Sequence, residues 1–259
     1  MKIILGGARG SFPVSRPDKT RYGGQTFSLL IEGGDGTQIL VDAGTGLTNL
    51  KPYWRAGGTV CFTHTHLDHI LALPFLMDAW PRQLILPRGD LPDVLKRVFA
   101  PPTWPVPLPP ADFTIPPQPA RIGGLQLAWH EVAHPDGCVA YRVEEPASGA
   151  AVVIVSDIEW PLMTAKAQDR FLAFSKRADL LIFDAHFLPE EYETYRNWGH
   201  STWEDAIAVA EQCQARQLWL AHHAPQRTDD ELDALNVALR ERHPAAQYVR
   251  AGTVATLPL

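Results

Sequence analysis

Residues 63–69 concentrate metal-binding side chains in one short loop. They read Thr-His-Thr-His-Leu-Asp-His and directly follow the apolar run 59–62. Histidine is only intermediate in its tendency to be buried, and aspartate is almost never buried without a partner. Core packing therefore does not explain the cluster, which predicts a site for more than one metal ion. Its four potential ligands, within six positions, are His64, His66, Asp68 and His69.

The spacing of these residues fits two adjacent ions. In an extended segment, residues two apart point the same way, so the imidazoles of His64 and His66 can reach one ion. Asp68 and His69 follow where the chain could turn into a helix, which would aim them at a second position. Two-metal hydrolytic sites hold their ions roughly 3.5–4 Å apart, and this loop could supply half the ligands of each. A merely polar or pH-sensitive loop is the alternative.

The composition limits the class of protein. The chain has 259 residues, 46% hydrophobic and 20% charged, which fits one large α/β domain or two small ones and argues against a largely disordered chain. A net charge of −6 argues against a broad nucleic-acid surface. No stretch approaches about 18 apolar residues, so no membrane span is expected. The widely spaced Cys61, Cys138 and Cys213 predict buried thiols in a reducing cytoplasm.

Apolar runs of strand length recur in both halves of the chain. They cover residues 2–5, 27–31, 38–41 and 59–62, and then 125–130, 138–143, 151–155, 180–183, 217–221, 248–250 and 254–257. Helices are predicted at 91–99, 202–212 and 229–242. Two strand-rich halves with flanking helices predict one α/β domain over residues 1–259, a four-layer αββα sandwich. Its functional loops would lie at one edge of the two sheets.

A proline-dense stretch, residues 101–119, interrupts this pattern. Prolines at this density exclude a regular helix or a central strand and favour a stiff, extended surface loop. The loop could be a lid beside the functional site or an ordinary rigid connection, and the sequence leaves both readings open.

The loop at 63–69 resembles a known family motif. His-x-His-x-Asp-His after a strand is similar to the HxHxDH motif of the metallo-β-lactamase superfamily of hydrolases, and the resemblance spans nearly the whole chain. In that superfamily the ligand set is completed by a His, then an Asp after a strand, then a His after another strand. The resemblance implies that these are His134, Asp157 and His222, with His223 as an alternative to His222. It also implies the αββα fold, with Asp42 supporting the metal loop from behind.

The implied ligand set predicts a pair of divalent cations. Neutral imidazoles and carboxylates suit Zn²⁺ best, with Mn²⁺ and Fe²⁺ as alternatives. Two cations that share a bridging water lower its pKa from about 15.7 towards neutrality, which supplies hydroxide for hydrolysis. Asp68 is predicted to be both a ligand and the hydrogen-bond acceptor that orients this nucleophile.

Two further elements resemble ribonuclease Z and related phosphodiesterases. Residues 199–202, Gly-His-Ser-Thr, are similar to a His-Ser-Thr element whose His lies beside the scissile phosphate and assists the leaving group. The resemblance implies that His200 is a catalytic and substrate-binding residue, at a helix N-terminus that favours an anion. The glycine-rich opening, residues 6–11, implies a phosphate-binding loop with Arg9 as a substrate-binding residue. The alternatives are a helix cap with an incidental histidine and a solvated loop.

The absence of a basic tRNA-binding arm limits the range of expected substrates. Ribonuclease Z proper carries a long basic arm that grips tRNA, whereas no lysine or arginine lies between Arg97 and Arg121 here. We therefore predict a small or cyclic phosphodiester as the substrate, with nucleic acid less favoured. An ester, thioester or lactone hydrolase, an armless tRNA 3′-end ribonuclease and a non-catalytic scaffold are alternatives. The sequence does not decide whether the protein forms a homodimer. It also leaves three roles open for Trp80, Trp104 and Trp198, namely an interface, base stacking or core packing.

Overall fold

The computed structural model describes residues 1–87, 89 and 91–258. Within these residues the strands form two sheets. The first contains β1 (Lys2–Gly7), β2 (Ser28–Glu32), β3 (Gln38–Val41), β4 (Thr59–Cys61), β5 (Gln83–Ile85), β6 (Asp112–Thr114) and β14 (Val254–Thr256). The second contains β7 (Ala120–Ile122), β8 (Leu125–Val132), β9 (Cys138–Glu145), β10 (Ala150–Val155), β11 (Leu180–Asp184), β12 (Gln217–Ala221) and β13 (Ala246–Tyr248).

The order of the strands places the functional loops. The first sheet runs β14-β1-β2-β3-β4-β5-β6, and the second runs β13-β12-β11-β10-β9-β8-β7. Strands β3 to β6 are parallel to one another, and so are β10 to β13. Because the carboxyl ends of parallel strands lie at the same edge of a sheet, the loops after β4, β10 and β12 leave their sheets at a common edge.

Side chains that point alternately to the two faces of each strand produce the layers of the fold. Ile3 and Leu5 pack into the core between the two sheets, while Ile4 faces the helices of the first half. Leu180 likewise faces the inter-sheet core and Leu181 faces the helices of the second half. The helices are α1 (Leu47–Leu50), α2 (Leu67–Ile70), α3 (Leu91–Val98), α4 (Ala165–Ser175), α5 (Trp203–Cys213) and α6 (Asp229–Arg242). The predicted αββα sandwich is therefore confirmed.

The proline-dense segment departs from the prediction of a loop throughout. Residues Asp112–Thr114 form β6, which pairs with β5 and ends the order of the first sheet. An edge strand tolerates nearby prolines because one side of it needs no ladder donors. The last strand of the second sheet is Ala246–Tyr248, two residues earlier than predicted. Among the described residues, no helix has the length and apolarity to cross a membrane.

Candidate metal centre

The loops at the shared edge bring the seven predicted ligands together. Each belongs to at least one group of three side chains whose ligand atoms lie within 4.8 Å of one another. The loop after β4 contributes the histidines and aspartate of the 63–69 segment, and the second sheet contributes the rest. The predicted ligands are His64, His66, Asp68, His69, His134, Asp157 and His222.

Asp68, His69 and His222 form one half of this cluster. Nε2 of His69 lies 3.3 Å from Nε2 of His222 and 3.2 Å from Oδ2 of Asp68, and Nε2 of His222 lies 3.3 Å from the same oxygen. Asp157 adds carboxylate oxygens 3.2 Å from His69 Nε2 and 3.3 Å from His222 Nε2. Tetrahedral ligands bound to zinc at about 2.0–2.1 Å are about 3.3 Å apart. The four side chains therefore fit one tetrahedral cation.

His64, His66 and His134 form the other half. Nδ1 of His66 lies 3.2 Å from Nε2 of His134. Nε2 of His64 is buried, lies 4.0 Å from Oδ1 of Asp157, and has no hydrogen-bond partner in the described part of the chain. An unpaired buried nitrogen is costly unless something completes its coordination. These three imidazoles therefore fit a second cation, with the Asp157 carboxylate between the two positions.

Asp42 orients two of the imidazoles. Its Oδ2 accepts hydrogen bonds of 2.8 Å from Nδ1 of His69 and from the Thr63 hydroxyl, and Nδ1 of His64 lies 3.0 Å from that hydroxyl. The backbone N–H of Thr63 donates to Oδ1 of Asp42. This chain of hydrogen bonds places the protons on Nδ1 of both rings and leaves each Nε2 lone pair for a metal. Asp42 thus has the supporting position that the resemblance implied.

The charges of the cluster are balanced for cation binding. Burial opposes the charged form of His69, but the carboxylates of Asp157, Asp68 and Asp42 outweigh it and raise the pKa of His69 well above its ordinary value. Burial also opposes ionisation of Asp157, yet His222, His69 and other neighbouring imidazoles hold its pKa well below the usual range. The centre therefore keeps anionic carboxylates beside the imidazoles of His69 and His222, whose raised pKa values favour bound protons when no cation replaces them.

His200 lies directly beside this cluster. Its ring centroid is 4.9 Å from that of His222 and 5.5 Å from that of His134. Nδ1 of His200 shares a hydrogen bond of 2.8 Å with Oδ2 of Asp184, which ends β11 and is fully buried. Burial raises the pKa of Asp184 well above the carboxyl range, and burial followed by the charge of His222 lowers the pKa of His200 to about 3. Both partners therefore disfavour their charged forms.

The start of α5 differs from the expected anion site. Thr202 is the N-cap, and it forms a capping box with Asp205 in which each side chain accepts a backbone N–H of the other residue. The hydroxyl of Ser201 donates to the carbonyl of Ile158 instead of capping the helix. Because the Asp205 carboxylate already occupies the first turn, we attribute no anion binding to this helix terminus.

The opening loop supports the site without Arg9 reaching it. Arg9 is fully buried, and its guanidinium donates to the carbonyls of Arg227 at 2.8 Å and Gly23 at 2.9 Å. The Arg9 side chain joins loops inside the protein in this structure, and its role in substrate binding stays a prediction. Gly10 does reach the centre, because a Cβ there would lie 2.5 Å from the His222 ring. The loop thus contributes a glycine whose backbone lies close to the His222 ring.

The histidine pair after β12 is resolved by the geometry. Nε2 of His222 faces the cluster, whereas Nε2 of His223 donates to the carbonyl of Leu220 at 3.0 Å and its ring packs against Tyr22 and Tyr248. His222 adopts a left-handed backbone conformation, with φ of 58°, which is uncommon for a non-glycine residue.

Two residues that the sequence reasoning left without a role complete the surroundings. His186 stacks on His200 at 4.3 Å between ring centroids and donates from Nδ1 to the carbonyl of His222. Asp184 ends an apolar run at the carboxyl end of β11, much as Asp42 and Asp157 come just after β3 and β10, and this shared position was the signal that could have identified it.

An αββα sandwich with a histidine and aspartate cluster at one edge defines the class of metal-dependent hydrolases. The family model described as the beta-lactamase superfamily domain matches residues 37–223, and the chain belongs to this family.

Individual relatives agree with this assignment. The probable metallo-hydrolase YhfI of Bacillus subtilis is 29% identical over 231 residues, which cover 86% of each chain. A ribonuclease Z of Lachnospira eligens is 26% identical over 266 aligned positions, which cover 83% of this chain and 84% of the relative. The crystal structure of YhfI superposes with a TM-score of 0.74 at 23% identity over 98% of both chains. A diphosphatase from the PhnP family superposes with a TM-score of 0.74 at 17% identity, over 98% of this chain and 96% of the other. These superpositions show the shared fold.

Proposed function

We propose that this protein is a dinuclear metal-dependent phosphodiesterase that hydrolyses a small or cyclic phosphodiester, with Zn²⁺ as its metal. Residues 1–259 would act as one catalytic domain. The observation that carries the proposal is the position of His200, whose ring lies beside the cluster while its Nδ1 is held by Asp184. A proton donor next to a metal pair is the arrangement that expulsion of an alkoxide from phosphorus requires.

The cluster would bind the metal ions that activate water. When bound, the two cations lower the pKa of water and polarise the phosphate oxygens. The side chains facing one position are Asp68, His69 and His222, and Asp157 lies between this position and the three imidazoles of the other. The Asp68 carboxylate is buried among these side chains, with Oδ2 3.2 Å from Nε2 of His69, where it would accept a hydrogen bond from an attacking water. We assign Asp68 the role of orienting that water.

His200 and Asp184 supply the proton. Burial raises the pKa of Asp184 and lowers that of His200, so it favours the neutral form of both partners in this 2.8 Å hydrogen bond. An anionic phosphodiester beside the ring favours the imidazolium form. The proton then resides on His200, and Nε2, the nitrogen that is not bound to Asp184, delivers it to the leaving oxygen.

The choice among substrates rests on charge. The ribonuclease Z relative supports phosphodiester chemistry, while residues 98–120 contain no lysine or arginine to bind a tRNA backbone. A small phosphodiester needs only the metal pair and His200. The three cysteines are all buried and unpaired, and we propose that the enzyme works in the cytoplasm.

The test compares substrate classes on one zinc-loaded preparation. We expect turnover of bis(p-nitrophenyl) phosphate and of 2′,3′-cyclic AMP, and much slower turnover of a lactone, a glutathione thioester and a tRNA precursor. His200→Ala should lower kcat by about 10²-fold while the protein keeps two zinc ions, and His64→Ala should lose metal.

Three outcomes would contradict the proposal. Faster turnover of the lactone or thioester would assign the site to ester chemistry. Wild-type turnover by His200→Ala would remove the proposed acid. A zinc content well below two ions per chain in the native protein would favour a non-catalytic scaffold.

A further inference from the structure

Trp198 is exposed next to the centre, unlike the other tryptophans considered from the sequence. Its side chain is 63% exposed, whereas Trp80 and Trp104 pack against the core beneath the first sheet. A single exposed aromatic side chain is common on protein surfaces, so the significance of Trp198 rests on its position. Trp198 directly precedes Gly199, whose carbonyl accepts a hydrogen bond from His134. One peptide unit therefore separates the exposed indole from a candidate metal ligand.

The backbone that presents Trp198 is fixed. Glu159 is buried, and its carboxylate accepts hydrogen bonds of 2.8 Å from the backbone N–H groups of Asn197 and Gly199 on either side of the tryptophan. The hydroxyl of Tyr192 donates to the same carboxylate at 2.9 Å. A ring held in place before a ligand arrives loses little entropy on binding. The backbone on both sides of Trp198 is therefore pre-positioned, and Tyr195 contacts the exposed ring.

Aromatic rings connect Trp198 to the proposed proton donor. The ring of Trp198 meets the edge of Tyr195 at 5.2 Å, and Tyr195 stacks on Phe187 at 4.9 Å with an angle of 6° between the planes. Phe187 in turn contacts the ring of His200 at 5.8 Å. Phe187 is buried, so the row is a packed aromatic cluster that supports Trp198, and the indole is its solvent-exposed end.

We propose that Trp198 is a stacking platform for a planar aromatic group, a nucleobase or an aryl ring, carried by the phosphodiester substrate. The inference rests on the proposed function and adds a substrate class to it. The metal pair and His200 act on the phosphate, while Trp198 binds the aromatic substituent beside it. Base–aromatic stacking is sequence-tolerant because every base presents a π face, so the platform selects for an aromatic substituent without selecting one base.

The test measures binding separately from turnover. Isothermal titration of the zinc-loaded protein with 5′-AMP, phenyl phosphate and ribose 5-phosphate compares ligands that share a phosphomonoester but differ in the ring. We expect 5′-AMP to bind more tightly than ribose 5-phosphate, and Trp198→Ala to weaken 5′-AMP by about tenfold with less than a twofold change for ribose 5-phosphate. Trp198→Phe should keep most of the affinity. Phe113→Ala, which removes another exposed aromatic on β6, is the matched control and should change neither ligand.

The results test the stacking platform separately from the proposed phosphodiesterase function. Parallel loss of phenyl phosphate and 5′-AMP affinity would identify an aryl platform, and loss of 5′-AMP affinity alone would identify a nucleobase platform. Equal effects of Trp198→Ala on 5′-AMP and ribose 5-phosphate would overturn the platform while phosphodiester hydrolysis stands. A dimer that Trp198→Ala converts to monomers would overturn it in favour of an interface. If the wild type hydrolyses no phosphodiester, the proposed function fails, and the platform fails with it.

Discussion

The carbonyl oxygen of Gly199 accepts a 2.8 Å hydrogen bond from Nδ1 of His134. The segment that carries His200 therefore also orients a candidate metal ligand, because the bond places the proton on Nδ1 and leaves Nε2 of His134 facing His66. The candidate metal ligand His134 and the proposed proton donor His200 are thus structurally connected through Gly199, and a change at this glycine should affect both residues.

Gly199→Ala should weaken metal binding by about tenfold or more, the range seen when a partner of a metal ligand is removed. A Cβ at this position would lie 2.2 Å from Nδ1 of His134, and the backbone φ of +90° is unfavourable for alanine. The measurement is zinc affinity by competition with a chromophoric chelator. Gly252→Ala is the control, because its φ is +86° but a Cβ there would meet nothing within 4 Å. Equal zinc affinity in the two variants would show that the contact with His134 is unimportant.

Asp42→Asn should lower zinc affinity by about 10- to 100-fold without removing a ligand. The amide replaces one acceptor oxygen by a donor, so the bonds from His69 and the Thr63 hydroxyl to Oδ2 cannot persist together with the bond from the Thr63 backbone N–H to Oδ1. Asp179→Asn is a suitable comparison, since Asp179 is also buried and accepts a backbone N–H, from Ala151, away from the cluster. It should lower the free energy of unfolding and leave zinc affinity unchanged, whereas a similar affinity loss in both variants would refute a specific role for Asp42.

Asp184→Asn should reduce kcat by about 10²-fold with little change in zinc content. The carboxyl shares its hydrogen bond with Nδ1 of His200, and without it the proton is no longer held at the ring. If the two residues act as a unit, the double variant with His200→Ala should be no slower than His200→Ala alone. Additive losses, measured as kcat on bis(p-nitrophenyl) phosphate, would show that Asp184 acts independently of His200.

Metal-free protein should lose stability as the pH rises from 7 to 9. Burial opposes the charged form of His69, but three carboxylates outweigh it and raise its pKa above the unfolded value of about 6.5. A group with a raised pKa contributes stability that is fully present below the unfolded pKa and is lost as the pH rises through the folded pKa. Each such proton contributes a slope of about 1.4 kcal/mol per pH unit between the two pKa values.

Urea unfolding with a chelator present measures this slope. Zinc-loaded protein provides the comparison, because zinc replaces the proton and its binding strengthens as the pH rises. The zinc-loaded form should therefore gain stability relative to the metal-free form over the same pH interval. Metal-free stability that rises from pH 7 to 9 would contradict the assigned charge balance.

Much of this fold could be predicted because its signals are local. The apolar runs Gln38–Val41 and Gln217–Ala221 are observed as β3 and β12 with the predicted bounds, and α6 spans the predicted residues Asp229–Arg242. Fully apolar strands followed by a ligand residue are a strong pattern, since a buried strand leaves its polar residues only at its end. The motif at 63–69 supplied the family, and the family supplied the order of the remaining ligands.

The elements that were missed depend on tertiary contacts. Helix α4 (Ala165–Ser175) is mixed in composition, and among its residues Phe171 and Ser175 are buried, so its pattern is weak in the sequence. Arg9 was assigned to phosphate because it is basic and lies in a glycine-rich loop, whereas carbonyls of residues more than 200 positions away bind its guanidinium. Glu159 gives no local signal at all, since its three donors come from residues 192–199.

The predicted ligands of the centre are divided between two sheets whose facing surfaces are mainly apolar. His69 extends from the first sheet and His222 from the second, with their Nε2 atoms 3.3 Å apart. A cation held by both is a crosslink across the open end of the sandwich, and its binding free energy adds to the association of the two halves. Zinc availability in the cell would then affect the lifetime of the protein as well as its activity. Metal-free molecules would unfold more readily and would be degraded by proteases faster than zinc-loaded molecules.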